Sequence, residues 1–187
     1  GEYTIKQERI AKNKDYLLYT EINWFDKNII DKVFKIPHIT LKNNAEWALG
    51  IVTGDNSNYL SDEKKENYEE IISGKDVNPF IIKTPTKYIL FDPKKLQQVA
   101  PEEKYREREK LIYKFISKYL IFAYDDKQKL TLNSANILIP KIKDYPIKLM
   151  LALLNSKLYN FIFQKKFKSI KVLRSHLEQL PLPLWNK

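Results

Sequence analysis

The feature that most limits the fold is a change of hydrophobic period along the chain. Between residues 47 and 139 the apolar residues come in short runs, and from Ile147 onward they recur every three or four positions. The runs are 47–52, Ile71-Ile72, Phe80-Ile81-Ile82, 88–91, 111–116, 119–124 and 135–139, punctuated by Gly50, Gly54, Gly74, Pro79, Pro85 and Pro140. Short apolar runs bounded by turn formers predict buried strands joined as a meander. After them Ile147, Met150, Leu151, Leu154, Leu158, Phe161 and Ile162 form one stripe at helical spacing, about four turns long. Leu149, Leu153 and Phe163 widen it. One long apolar helix, buried on more than one side, is the expectation. Residues 175–180 then read as a short helical turn, before Pro181 and Pro183.

Strands first and helices last predict an α+β domain with a mixed or antiparallel, sheet-rich body, a long apolar helix and short C-terminal helices. We place this domain at residues 47–187. Residues 1–46 read as an N-terminal extension with short strands at 3–6 and 16–19 and a helix over 28–34, stopped by Pro37. Pro101-Glu102-Glu103 suits the first turn of a further helix.

Composition narrows the chemistry. There are no cysteines, which excludes disulfide scaffolds, zinc ribbons and thiol nucleophiles and fits a reducing cytoplasm. No apolar stretch approaches the roughly 18–20 residues of a membrane span, and no secretory leader opens the chain. The formal charge of +10 is unevenly placed. Residues 1–100 hold 15 basic and 15 acidic side chains, against 18 and 8 in residues 101–187. The positive field belongs to the C-terminal half.

Catalytic patterns are scarce. The histidines are His38 and His176, and the ordinary reading of each is a packing or surface residue. Four glycines are too few for a phosphate or dinucleotide loop. Two acidic spacings resemble a metal-dependent nuclease pattern: Asp92 ahead of Glu102-Glu103-Lys104, and Asp55 ahead of Glu63-Lys64-Lys65. Such spacings arise easily by chance where 30% of residues are charged, and solvated faces account for them. No catalytic, metal-ligating or cofactor-binding residue is assigned.

The segment 165–174 is more telling. It interleaves Lys165, Lys166, Lys168, Lys171 and Arg174 with Phe167, Ile170, Val172 and Leu173. A phosphate track needs cations held outward on anchored backbone, because duplex affinity comes largely from counterion release. Lysines snorkelling over a core would give the same pattern; the charge asymmetry favours nucleic acid over that reading, and an anionic membrane is disfavoured because the apolar face of the segment is needed for a core.

Five blocks together resemble a known family: Gly50-Ile51-Val52-Thr53-Gly54-Asp55-Asn56, Ile71-Ile72-Ser73-Gly74-Lys75-Asp76, Leu130-Thr131-Leu132-Asn133-Ser134-Ala135-Asn136, Leu151-Ala152-Leu153-Leu154-Asn155-Ser156-Lys157-Leu158 and Leu177-Glu178-Gln179-Leu180-Pro181-Leu182-Pro183. In this order they are similar to the TaqI-like target recognition domain at the C-terminus of adenine-N6 DNA methyltransferases, single-chain restriction–modification enzymes included. Specificity subunits of Type I systems carry related domains. The likeness spans residues 47–183. It implies a bacterial, cytoplasmic, DNA-binding module without catalysis of its own, acting on double-stranded DNA beside an upstream methyltransferase domain or subunit. S-adenosylmethionine and the Asn/Asp-Pro-Pro-Tyr/Phe tetrapeptide would belong to that partner, since no such tetrapeptide occurs here. Residues 1–46 would link the two.

Candidate base-reading residues lie in two places. Asp55, Asn56 and Asn58 follow Gly54, and Lys75 and Asp76 follow Gly74. Asn pairs with adenine, Lys with guanine, and Asp with a cytosine amino group. Rival readings are a Type I specificity-subunit domain, a nuclease using Asp92 and Glu102, and a protein-docking module.

Overall fold

The computed structural model describes residues 24–185, which divide after Pro37 into two units. The strands expected at 3–6 and 16–19 lie outside the described residues. Within the first unit, helix α1 (Trp24–Lys35) begins earlier than its apolar spacing predicts. Asp26 sits in its first turn and Lys32 and Lys35 in its last, complementing the helix dipole.

The second unit begins at His38 rather than Trp47. Strand β1 (His38–Ile39) pairs antiparallel with the last strand, β10 (Leu182–Pro183), so residues 38–46 belong to the body. A four-stranded antiparallel sheet forms its centre, in the order β2 (Ala45–Ala48), β9 (Ala135–Pro140), β6 (Lys110–Lys114), β7 (Phe122–Asp125). The two inner strands are buried along nearly their whole length, which is why they read as continuous apolar runs without alternation.

The second sheet is mixed, ordered β3 (Leu60–Ser61), β5 (Lys87–Ile89), β4 (Glu69–Ile72), β8 (Leu130–Thr131). Strands β4 and β8 run parallel, and a parallel bridge from Ile51 to Leu132 continues the pairing. Ile51, Ile71, Ile72 and Ile89 from this side meet Ile112 and Ile137 from the central sheet in one buried cluster.

Gly50 is forced by close approach: a Cβ there would stand 2.0 Å from the carbonyl oxygen of Leu132. The Gly50 amide donates instead to Asn136 Oδ1 at 3.1 Å, in a fully buried contact.

Two expectations are corrected. The apolar stripe is not one helix but two, α4 (Ile147–Asn155) and α5 (Lys157–Phe167). Ser156 breaks it by adopting an extended ψ of 156°, and its side chain caps α5 by accepting from the Tyr159 amide. Asn155 fixes the break in place, since its side chain accepts from Phe122 N and donates to Phe122 O, both at 2.9 Å. The run Phe80-Ile81-Ile82 is likewise no strand. Phe80 has a φ of 74°, and a Val77–Ile82 bridge closes a tight loop that leaves Phe80 and Ile81 exposed. The short helices expected near Pro101 and Ser175 are α3 (Glu102–Tyr105) and α6 (Arg174–Leu177).

Candidate nucleic-acid interface

The basic segment starts where α5 ends. Lys168 is its C-cap, in the left-handed conformation (φ 47°, ψ 38°) that redirects the chain away from the helix axis. Ser169 tightens the next turn, its hydroxyl accepting from Lys171 N at 3.0 Å and donating to Lys171 O at 2.9 Å. The chain then runs beside the loop joining β6 to β7: Ser117 N donates to Ile170 O and Val172 N to Phe115 O, both at 2.8 Å. Val172 is buried, while Ile170 and Lys171 face out.

His176 supports this segment from behind. Its ring stacks on Phe167 at 4.5 Å and meets Phe163 edge-on, and its Nδ1 accepts from the Leu173 amide at 3.4 Å. Burial pushes its pKa below the ordinary histidine value, against a backbone hydrogen bond to Lys171 that opposes the shift. This is the packing role expected of it.

The five cations of the segment separate into two groups. Lys165 lies over the ring of Phe161 and Lys166 over Phe167, so these half-buried lysines partly cover the helix's own aromatic face. Arg174 sits over Trp47 at 5.8 Å and donates to Glu178 at 2.7 Å. Lys168 and Lys171 are the exposed pair on the loop.

The turn 74–76 has a different logic from the one the sequence suggests. Lys75 is exposed, but Asp76 is only 3% exposed, and its Oδ2 accepts from Ser73 N at 2.8 Å and Ser73 Oγ at 2.6 Å. Asp76 therefore braces the turn, with no carboxylate face left outward for a cytosine. Gly74 is needed because a Cβ would approach Ser134 O to 2.7 Å; its amide donates to Ser134 Oγ at 2.9 Å. Close packing onto the turn 133–134 explains this glycine, rather than approach to a groove.

That packing joins the turn to the basic segment. Gly74 bonds Ser134, Phe115 N donates to Ser134 O at 3.1 Å, and Phe115 O receives Val172 N. The turn carrying Lys75, the turn 133–134, the chain at Phe115 and the segment carrying Lys171 thus follow one another as neighbours.

Residues 55–58 are anchored elsewhere. Asp55 caps the short helix α2 (Asn56–Tyr59), accepting from Ser57 Oγ, Asn58 N and Asn58 Nδ2, and the Ser57 bond leads in holding its carboxyl below the usual range. Asn56 Oδ1 accepts from Thr53 Oγ1 at 2.5 Å, and Asn58 O accepts from Tyr68. Each Asn already uses one amide atom locally, although a two-point adenine contact requires both.

The acidic spacings do not assemble. Asp92 pairs with Lys95 at 3.1 Å and Glu102 with Arg106 at 3.1 Å, and no group of three His, Asp or Glu side chains gathers among the described residues. What the sequence reading missed is the β6–β7 loop, where Lys118 and Tyr119 are exposed. Its signal, lysines alternating with Phe115, Ile116 and Tyr119, matches that of the basic segment but sits inside apolar runs that read as strand.

The body is sheet-rich and presents cationic loops and a braced turn on adjoining chains, the frame of a specificity domain. The chain belongs to the family of TaqI-like C-terminal specificity domains, whose model matches residues 69–182. It is 30% identical over 73 residues to the Type II methyltransferase M.VspI of Vibrio sp. (strain 343), covering 39% of this chain and 18% of that protein. A chain of a type I R-M system, solved for its complex assembly and conformational transition, matches with a TM-score of 0.52 at 16% identity, over 94% of this chain and 44% of that one. The HsdS subunit from Thermoanaerobacter tengcongensis gives a TM-score of 0.49 at 15% identity, over 85% of this chain and 38% of the subunit. The chain spans less than half the length of each of these relatives.

Proposed function

We propose that this domain selects a short duplex sequence for a restriction–modification adenine-N6 DNA methyltransferase whose catalytic domain is a separate unit. Membership of the specificity-domain family carries the reading. The charge distribution supports it, since cations concentrated in residues 101–187 supply sequence-independent attraction. Lys168 and Lys171 hold phosphates and so set register, while Lys75 reaches a guanine edge from the braced turn. Asn56 and Asn58 are the secondary candidates for adenine, limited to a one-point contact through Asn56 Nδ2 or Asn58 Oδ1, the amide atoms outside these local bonds.

The duplex lies between this domain and a methyltransferase domain in cis or a methyltransferase subunit, and the target adenine turns out of the stack into that partner. Residues 1–37, the part of the extension that lies outside the body, act as the connection. S-adenosylmethionine supplies the methyl group in the partner and does not fit here: Gly50 and Gly74 are closed off by Leu132 and Ser134 backbone, and Gly54 faces Gln97, so no described glycine opens a cofactor cradle. Among the described residues no helix is long and apolar enough to cross a membrane; we place the enzyme in the bacterial cytoplasm.

A mobility-shift assay without metal, at two salt concentrations, tests the reading. Steeply salt-dependent duplex binding without cleavage is expected. Absence of binding would favour a protein-docking module.

A further inference from the structure

We infer that the β6–β7 loop is a second DNA-gripping ridge, in which Lys118 and Tyr119 act together with Lys168 and Lys171 on one phosphate backbone. The inference rests on the DNA-recognition reading above. It starts from the two hydrogen bonds, Ser117 N to Ile170 O and Val172 N to Phe115 O, with the antiparallel Ile116–Lys171 bridge between them. Chains paired in this way run about 4.8 Å apart, so Lys118 and Lys171 stand on neighbouring chains. Neither has an ion-pair partner among the described residues.

The side chains between these cations are unusual. Ile116 is 63% exposed, Tyr119 56% and Ile170 58%. Single exposed apolar residues are ordinary, but these three lie on two paired chains among lysines, with Ile116 directly opposite Lys171. An acidic protein surface would satisfy the lysines alone. A nucleic-acid strand satisfies both, with phosphates for the cations and sugar or base faces for the ring and the two isoleucines.

The loop is also held ready. Tyr119 N donates to Ser117 Oγ at 3.1 Å, Leu120 N to Asn160 Oδ1 at 2.7 Å, and Gln164 Nε2 to Lys118 O at 3.4 Å. A loop fixed before binding loses little further entropy on contact. Its link through Phe115 and Ser134 to Gly74 ties the ridge to Lys75, so that gripping phosphate also fixes where the reading turn stands.

The test is duplex affinity as a function of salt for the full chain and for Lys118→Gln, Lys171→Gln and Tyr119→Ala, with the exposed Lys148→Gln as a control on α4. The log–log salt slope should fall by about 0.9 for Lys118→Gln and again for Lys171→Gln, and stay unchanged for Lys148→Gln. Tyr119→Ala should weaken binding about tenfold at unchanged slope. If Lys171→Gln flattens the slope while Lys118→Gln behaves as the control, the ridge is refuted and DNA recognition stands. If neither changes it, the phosphate role of the basic segment falls as well. An unchanged slope for Lys118→Gln with loss of a co-purifying catalytic partner would reassign the patch to protein docking.

Discussion

Replacing Asp125 with Ala removes the sole carboxylate from a charged pair that water does not reach. Lys110 and Asp125 are register partners on β6 and β7, with side chains 0% and 1% exposed. Lys110 Nζ donates to Asp125 Oδ2 and to Tyr105 O, and Asp125 also accepts from Lys127 N and Lys129 N. Deleting one member of a buried pair leaves an uncompensated charge and costs about 3–5 kcal/mol, a large part of the ~5–15 kcal/mol that holds a domain together. A Lys110→Met, Asp125→Leu double variant should regain most of that loss, short of about 1 kcal/mol for each backbone amide left without its acceptor.

Burial lowers the Lys110 pKa, and the Asp125 charge is the main effect opposing it. Without Asp125 the folded chain binds fewer protons at this site than the unfolded chain does. Its stability should therefore rise with pH up to the ordinary lysine value, near 10.5. Urea denaturation, with the midpoint and slope compared across the three proteins, measures these differences. A single-variant loss under about 1 kcal/mol, or a double variant no more stable than Asp125→Ala, would overturn this view of the pair. The pair occupies the end of the β6–β7 hairpin opposite the 115–121 loop, so variants that still fold should bind DNA normally.

Other outcomes rest on the same geometry. Gly50→Ala should destabilise more than Gly74→Ala in thermal unfolding, because the added Cβ meets backbone at 2.0 Å in the first case and 2.7 Å in the second; equal losses would count against the fold. His176 should titrate by NMR below its ordinary 6.5. Since the unfolded chain then takes up its proton first, stability should fall as pH drops below 6.5, and His176→Gln should reduce that dependence. Lys75→Ala should cost roughly 1–3 kcal/mol against the cognate site and little against unrelated duplexes; equal loss on both would make Lys75 a phosphate contact.

The strand-rich body was legible because buried runs between turn formers survive in the sequence without long-range information. Which run pairs with which was not: β4 meets β8 and Gly50 meets Leu132 across long stretches of intervening chain, and no local pattern records that. The broken helix left a local sign, the polar Asn155-Ser156 step inside the stripe, with Ser156 placed to cap α5. Asp76 was readable too, since Ser73 lies at turn-bonding distance before it. Lys110 and Asp125 resemble solvated strand ends until their register is known. The candidate interface was half legible: the lysine-rich segment stands out by charge, whereas the β6–β7 loop is recognisable only once Phe115 and Val172 are seen to pair.

If this domain selects the DNA sequence on which a methyltransferase acts, its substitutions must show in the methylation pattern itself. The direct measurement is expression of the complete gene in a methylation-free bacterium, followed by mapping N6-methyladenine across the genome by single-molecule sequencing, with and without Lys75→Ala and Lys171→Gln. Methylation is expected at one short motif, relaxed at a defined base by Lys75→Ala and lowered evenly at all sites by Lys171→Gln. Methylation without a motif, or a motif and occupancy untouched by both substitutions, would contradict sequence selection by this domain.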